Sequence, residues 1–421
     1  MAFLGIIVLF LIAYALSSAR HAINWRTIVG AFAFQVGFAA FALYVPWGQG
    51  AMESVSSAVS NLEVYANQGI DFLFGGLNDS ALMGQLFGNQ SFIFALKVLP
   101  LIVFFSGLMA VLYHIGVMGL IIRVFGGCLG RVLGTSRTET MSSVANIFVG
   151  TTEAPLVIRP FLARMTESEL FSVVVCGLAS VAGSVLLGYA SLGIDMRYLI
   201  AASFMAAPGG LLMAKLMIPE TEKPHDDPAE HTEFEDREKP VNVIDAAAIG
   251  TANGLQLALN VGAMLLVFIA LIALLNGLLG WLGGCFGLPG LSLQAILGYL
   301  FAPLAFLLGI PWSEAVQAGS LIGQKLVLNE FVAYVQMAAM IDPVRAAAQG
   351  VEVLSAHSQV IITFALCGFA NLSSIGIIIG GMGVMAPNRR QDLARLGLKA
   401  VLAGTLANLM SAAIAGLFVS L

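Results

Sequence analysis

Charge is what this chain has least of. Only 10% of its 421 residues are Asp, Glu, Lys or Arg, while 59% are hydrophobic. A soluble domain carries about 25% charged residues, so there is too little here to face water on every side. The net charge of -5 comes with no basic run or patch. Nucleic-acid recognition needs such a patch, so no nucleic-acid partner is expected. Cysteine is scarce as well: Cys128, Cys176, Cys285 and Cys367 form no C-x-x-C pair and no zinc-like Cys/His spacing. Three of them stand in strongly apolar runs, where a free thiol serves as a small packing residue. Neither G-x-S-x-G nor H-E-x-x-H occurs, and the five histidines are scattered. An intramembrane enzyme with a Ser or Glu catalyst therefore lacks its usual nucleophile and base.

Long apolar runs are what the chain has instead. A spanning helix needs about 20 mostly apolar residues. Eight segments qualify, at approximately 2–19, 28–46, 93–117, 169–193, 197–218, 246–280, 357–384 and 396–420. The first is apolar from Ala2 to Leu16 and meets its first basic residue only at Arg20. A cleaved signal peptide has its basic residues first, so this segment reads as a retained span. Glycine, at 46 residues, suits close helix packing in lipid.

Lys and Arg favour the cytoplasmic side. Arg20 and Arg26 follow the first span, Arg123, Arg131 and Arg137 the third, and Lys215 the fifth. Arg389, Arg390, Arg395 and Lys399 precede the last. Neither Lys nor Arg occurs in 47–92 or from Val241 to Gln324. The pattern predicts an all-α protein of eight spans with both termini outside. The hydrophilic, acidic segment 219–240 reads as a cytoplasmic linker, and segments 51–70 and 291–308 as amphipathic or interfacial helices.

Residues 138–166 and 313–345 do not fit as spans. The first holds Thr151, Thr152, Glu153 and Pro155 near its middle, and the second Asn329 and Glu330. A full crossing at 138–166 would invert everything after it, whereas a hairpin that enters and leaves on one side would not. Irregular backbone at membrane depth survives only where protein or a water-filled cavity covers it, so two such hairpins predict a buried polar site. The helix after each hairpin carries a related stretch, Cys176-Gly-Leu-Ala-Ser-Val181 and Cys367-Gly-Phe-Ala-Asn-Leu372. One extra span lies between the two copies, so they sit inverted, an architecture of secondary transporters.

The polar middles supply the candidate site. A carboxylate at bilayer depth is costly and functional by default, which singles out Glu153 and Glu330 over a structural bond to a helix end. Either can accept hydrogen bonds from sugar hydroxyls or a base edge. Ser180-Val-Ala-Gly-Ser184 and Asn371-Leu-Ser-Ser374 are small and polar enough to unwind a helix, freeing oxygens for a cation or substrate. Asn371, Ser373 and Ser374 also suit plain interhelical bonding. Asn146 and Ser180 offer the neutral oxygens a hard cation takes. Phe369 suits helix packing or a nucleobase face.

Several motifs together resemble the bacterial concentrative nucleoside transporters. They are Asn146-Ile-Phe-Val-Gly-Thr-Thr-Glu-Ala-Pro155, Cys176-Gly-Leu-Ala-Ser-Val-Ala-Gly183, Asn329-Glu-Phe331 and Cys367-Gly-Phe-Ala-Asn-Leu-Ser-Ser374. Tyr44-Val-Pro-Trp-Gly48 and Met205-Ala-Ala-Pro-Gly-Gly210 add to them. The resemblance implies a homotrimer in the bacterial inner membrane, each protomer with eight spans and two re-entrant hairpins. It implies a scaffold in 1–137 and 246–312, an acidic loop in 219–245, and a transport domain in 138–218 and 313–421 that moves as an elevator. The cargo would be a nucleoside such as uridine, cytidine or adenosine, imported with sodium; coupling to protons is the alternative.

By that resemblance Thr151, Thr152 and Glu153 face the nucleobase, and Glu330, Asn371 and Ser374 hold the ribose. Val185, Leu257 and Phe369 form the apolar walls. Asn146, Val149, Ser180 and Val181 bind sodium, largely through backbone carbonyls. Members of the family usually have Gln or Met where this sequence has Thr151, a shorter side chain with one hydroxyl, which bears on base selectivity.

Overall fold

The computed structural model describes residues 1–87, 92–224, 240–288 and 290–420. Within them every regular element is helical. Most of the acidic segment, 225–239, lies outside the described residues.

Six helical segments are by themselves long and apolar enough to cross a bilayer: Trp25–Tyr44, Phe94–His114, Glu167–Ser191, Met196–Met217, Val243–Cys285 and Pro387–Val419. They match six of the eight expected spans. The other two differ. The first is a helix of 14 residues, Ala2–Ala15, after which Ser18 turns back to bond the Met217 carbonyl. The span expected at 357–384 is two short helices, Ala356–Leu366 and Ser374–Met385, with irregular backbone between them. Glu167–Ser191 is likewise interrupted, ending one helix at Ala179 and resuming at Gly183. Both interruptions fall where the Gly/Ser/Asn-rich stretches were expected to unwind the chain.

Three elements are longer than their hydropathy suggested. The expected interfacial segment 51–70 sits inside a continuous helix, Pro46–Phe74, entered through Pro46 at its first turn, where the missing N–H costs nothing. Val243–Cys285 runs 43 residues, about 65 Å at 1.5 Å per residue. Residues 117–133, read only as the inside stretch that follows the third span, form the helix Val117–Leu133. Its Arg123 and Arg131 lie away from the buried stripe of Met118, Ile122, Gly126, Leu129 and Leu133.

Both expected hairpins are pairs of helical pieces broken near a glutamate. The first comprises Arg137–Ala145, a non-helical stretch, and a 3-10 turn at Ala154–Ile158. The second comprises Trp312–Val327 and Glu330–Ile341. Local chemistry fixes their starts. Ser136 and Glu139 form a reciprocal capping box, as do Thr166 and Glu169 at the next helix. Asn329 caps the second helix of its hairpin by accepting the Val332 amide. The segment expected to be interfacial at 291–308 is the helix Leu293–Leu307, which folds back on Trp312–Val327 at 115°. Gly298 and Gly319 lie against facing backbone there, leaving no space for a side chain.

Burial divides the helices sharply. In the most apolar stretch of Glu167–Ser191 and of Met196–Met217, 94% of residues are buried, against 28% in Phe94–His114 and 17% in Val243–Cys285. Glu167–Ser191 and Met196–Met217 therefore sit in the protein interior, and the long helix offers its apolar surface outward. Phe94–His114 and the long helix pack on each other through Gly107, Gly250 and Gly254.

Candidate functional site

The two interrupted helices meet at their breaks. The Phe369 amide donates to the Ser180 carbonyl at 3.1 Å, joining one break to the other. Each break also receives its own hairpin: Gly183 N donates to the Phe148 carbonyl, and Leu372 N to the Leu326 carbonyl, both at 3.1 Å. One side chain fastens the crossing from behind. Asn408, buried on the Arg390–Val419 helix, donates through Nδ2 to the Ala179 carbonyl at 2.6 Å and to the Cys367 carbonyl at 2.9 Å. Carbonyls at helix ends have no intrahelical partner, and here a single amide serves both.

Glu330 stands at the N-terminus of Glu330–Ile341, buried, where the helix dipole favours a carboxylate. Its Oε1 accepts from the Tyr189 hydroxyl at 3.2 Å and its Oε2 from Asn371 Nδ2 at 3.1 Å. The Asn371 amide oxygen accepts from Ser373 Oγ at 2.7 Å and from the Ser374 amide at 3.0 Å. Ser374 Oγ lies 2.6 Å from the Phe369 carbonyl and 2.9 Å from Asn371 Oδ1. Glu330, Asn371, Ser374 and the Phe369 backbone thus form one connected polar group. Val185 is buried one helical turn before Tyr189. Behind Glu330, Tyr189 packs on Tyr334 at 4.3 Å and on Phe331 at 4.7 Å between ring centroids. Those rings fix the carboxylate's position.

The first hairpin tip lies across both interrupted helices. Thr151 packs on Gly177 and Thr152 on Gly381, so closely that a Cβ at either glycine would strike the threonine methyl. Glu153 is the exposed member of the tip, and its carboxylate accepts the Gly150 amide at 3.4 Å. Leu257 is partly buried on the long helix and packs against the main apolar core. From the Leu99–His114 helix, Tyr113 packs against a small apolar cluster containing Val149 and Ala154, which flank the tip. Its hydroxyl is buried with no hydrogen-bond partner among the described residues.

Two of the expected ion ligands, Asn146 and Val149, lie at the start of the same tip. Asn146 is buried, and its Nδ2 donates to the Ser142 carbonyl at 2.9 Å. Asn146 Oδ1 and Ser142 Oγ are left buried without partners among the described residues. An orphaned buried oxygen costs about 1–3 kcal/mol, so the pair suits a cation that takes neutral oxygen ligands. Val149 and Val181 are also buried. Ser180 Oγ turns back to its own helix at Gly177, 3.3 Å away, while the Ser180 carbonyl already accepts Phe369 N and retains one lone pair.

Residues 198–416 match the family model described as Na+ dependent nucleoside transporter C-terminus. Residues 4–77 match the N-terminus of the same family, and residues 95–196 a model described as nucleoside recognition. The nucleoside permease NupC of Helicobacter pylori is 52% identical over 417 residues, covering 99% of this chain and 97% of that one. The chain belongs to the concentrative nucleoside transporter family. Members of this family are transporters and not enzymes, and sodium is the ion they co-transport. The structure of the transporter CNTnw in an inward-facing, substrate-bound state superposes with a TM-score of 0.96 at 59% identity, covering 100% of this chain and 97% of that one. Sodium/nucleoside cotransporter 1 of Mus musculus is 38% identical over 420 residues, and this chain spans 63% of its length.

Three residues of the transporter's polar centre were not singled out from sequence: Tyr189, Lys325 and Asn408. Tyr189 stands in an apolar run and reads as packing. Lys325 reads only as the end of a stretch without basic residues, yet it is 1% exposed. Asn408 lies 229 positions from one of its partners, so nothing local betrays it. A polar residue at the centre of an otherwise apolar final span was the one available signal.

Proposed function

We propose that this chain imports nucleosides across the bacterial inner membrane by sodium symport, as a homotrimer with both termini outside. Residues 138–218 and 313–421 form the moving unit, and residues 1–137 and 246–312 the scaffold. The contrast in burial between Glu167–Ser191 and Met196–Met217 on one hand and the long helix on the other supports that division. The two broken hairpins are re-entrant, and the moving unit carries the site across the membrane as an elevator.

The observation that carries the reading is the crossing of the two interrupted helices. On one side of it stands a buried carboxylate, Glu330, held by Tyr189 and Asn371. In the first hairpin stand the oxygens of Asn146 and Ser142, without partners among the described residues. Ribose offers hydroxyl donors, and a charged acceptor makes the stronger bonds to them. Glu330, Asn371 and Ser374 hold the ribose, Thr151, Thr152 and Glu153 face the base, and Val185, Leu257 and Phe369 form the walls. Sodium joins Asn146, Val149, Ser180 and Val181. By ordering the hairpin tip, it completes the face that Thr151 to Glu153 present to the base. Ion and nucleoside then favour one another's binding, and that coupling is reciprocal.

A nucleoside is neutral, so the membrane potential acts through the ion, at about 2.3 kcal/mol per charge per 100 mV. The test is uptake of radiolabelled uridine and adenosine into proteoliposomes, with and without an inward sodium gradient. Accumulation that persists when choline replaces sodium at fixed pH would overturn sodium coupling. Absence of saturable accumulation from folded protein would overturn nucleoside transport.

A further inference from the structure

The two repeats face one chemical problem, the unsatisfied carbonyls of a broken helix, and they solve it with different cations. Their hairpins begin alike. Asn146 Nδ2 donates to the Ser142 carbonyl, four residues back, at 2.9 Å. Gln324 Nε2 donates to the Ser320 carbonyl, also four residues back, at 3.2 Å. Two residues further on, the carbonyls of Phe148 and Leu326 each accept an amide from the interrupted helix of the same repeat. Ser142, Asn146 and Phe148 therefore correspond to Ser320, Gln324 and Leu326.

The residue between the last two differs. In the first repeat it is Ile147, apolar and buried, and Asn146 Oδ1 and Ser142 Oγ remain without partners among the described residues. In the second it is Lys325. Its Nζ donates to the Ala365 carbonyl at 3.1 Å and to Asn408 Oδ1 at 2.6 Å. Ala365 lies in the last turn of Ala356–Leu366, just before the break, where carbonyls lack partners and the helix end favours positive charge. An ammonium bonded to neutral amide oxygens does there what a small monovalent cation does elsewhere. The buried carboxylate of Glu330, five residues on, balances it in formal charge.

We infer that Lys325 is a tethered cation, holding the second interrupted helix as exchangeable sodium holds the first, and so confining ion coupling to the Asn146 side. The inference rests on the sodium-symport reading above. It makes Lys325 a positioning residue for transport and makes the corresponding position in the first repeat, Ile147, the place where a second tethered cation would replace the ion.

The experiment is the sodium dependence of initial uridine uptake in proteoliposomes for the wild type, Lys325→Met, Lys325→Arg and Ile147→Lys. The wild type and Lys325→Arg are expected to show a Hill coefficient for sodium of about 1. Lys325→Met keeps the volume but opens the Ala365 and Asn408 oxygens to a second ion. Its half-saturating sodium rises by about tenfold or more, with a Hill coefficient approaching 2. A merely structural role for Lys325 would lower the rate without changing that coefficient. Ile147→Lys is expected to bind uridine without sodium, read by titration calorimetry, and this holds the test open should Lys325→Met fail to fold. A wild-type coefficient near 2, a folded Lys325→Met with unchanged sodium response, or an Ile147→Lys still dependent on sodium would each overturn the inference. A wild type without any sodium dependence would instead sink the symport reading itself.

Discussion

Glu330→Gln isolates the charge of the carboxylate from its shape. The amide has nearly the same volume. Its oxygen can go on accepting from Asn371 Nδ2, while its nitrogen donates to the Tyr189 hydroxyl oxygen, so both observed contacts have a neutral equivalent. What disappears is charge assistance toward the ribose hydroxyls. Hydrogen bonds to charged groups contribute about 1.5–3 kcal/mol against roughly 0.5–1.5 for neutral ones. Two ribose hydroxyls then lose about 2–3 kcal/mol together, or roughly 30- to 150-fold in affinity. Titration calorimetry with uridine at saturating sodium measures this directly, and a melting curve of the nucleoside-free variant separates lost contact from lost fold. A folded variant whose affinity stays within about twofold of wild type, well under 1 kcal/mol, refutes the placement of ribose at Glu330.

Gly177→Ala should impair sodium-driven uptake by displacing the Thr151 methyl, and Thr151→Ser in the same protein should restore it, since the remaining Thr151 atoms lie 3.4 and 3.5 Å from the new Cβ; failure of the rescue would place the fault elsewhere. Asn408→Leu removes the partner of two buried carbonyls and of Lys325, and at about 1–3 kcal/mol per orphaned group a clear fall in melting temperature is expected. Tyr113→Phe deletes a hydroxyl without a partner, so thermal stability should hold or rise, while uridine-to-adenosine preference in competition uptake reports whether that hydroxyl touches the base. Arg395→Ala breaks an exposed ion pair with Glu167 at 2.6 Å; surface pairs contribute about 0–1 kcal/mol, so melting should barely move.

Much of the site was legible because membrane depth makes polarity conspicuous. Glu330, Asn371 and Ser374 stood out as polar residues in apolar surroundings, and the structure brings them into direct contact. The interruption at 180–182 was legible because Ser180, Gly183 and Ser184, weak helix formers, cluster in an otherwise apolar run. The helix Val117–Leu133 was not, because its arginines mimic a loop when only mean hydropathy is weighed. They occupy one face of an amphipathic helix whose other face is buried. Lys325 went unnoticed. It served only to end a stretch without basic residues, whereas the structure satisfies it with a carbonyl and an amide in the interior. Its partners lie 40 and 83 positions away, beyond any local pattern.

Asn408 also sets an order on biogenesis. Ala179, Lys325 and Cys367 all leave the ribosome before it, and their bonds to its amide close only when the final helix is in place. Until then the ends of both broken helices must find temporary partners in the translocation machinery, in water or in neighbouring polar side chains. The clasp that ties the two broken helices to each other through Asn408 is therefore completed last, and quality control that monitors this protein has one late event to watch.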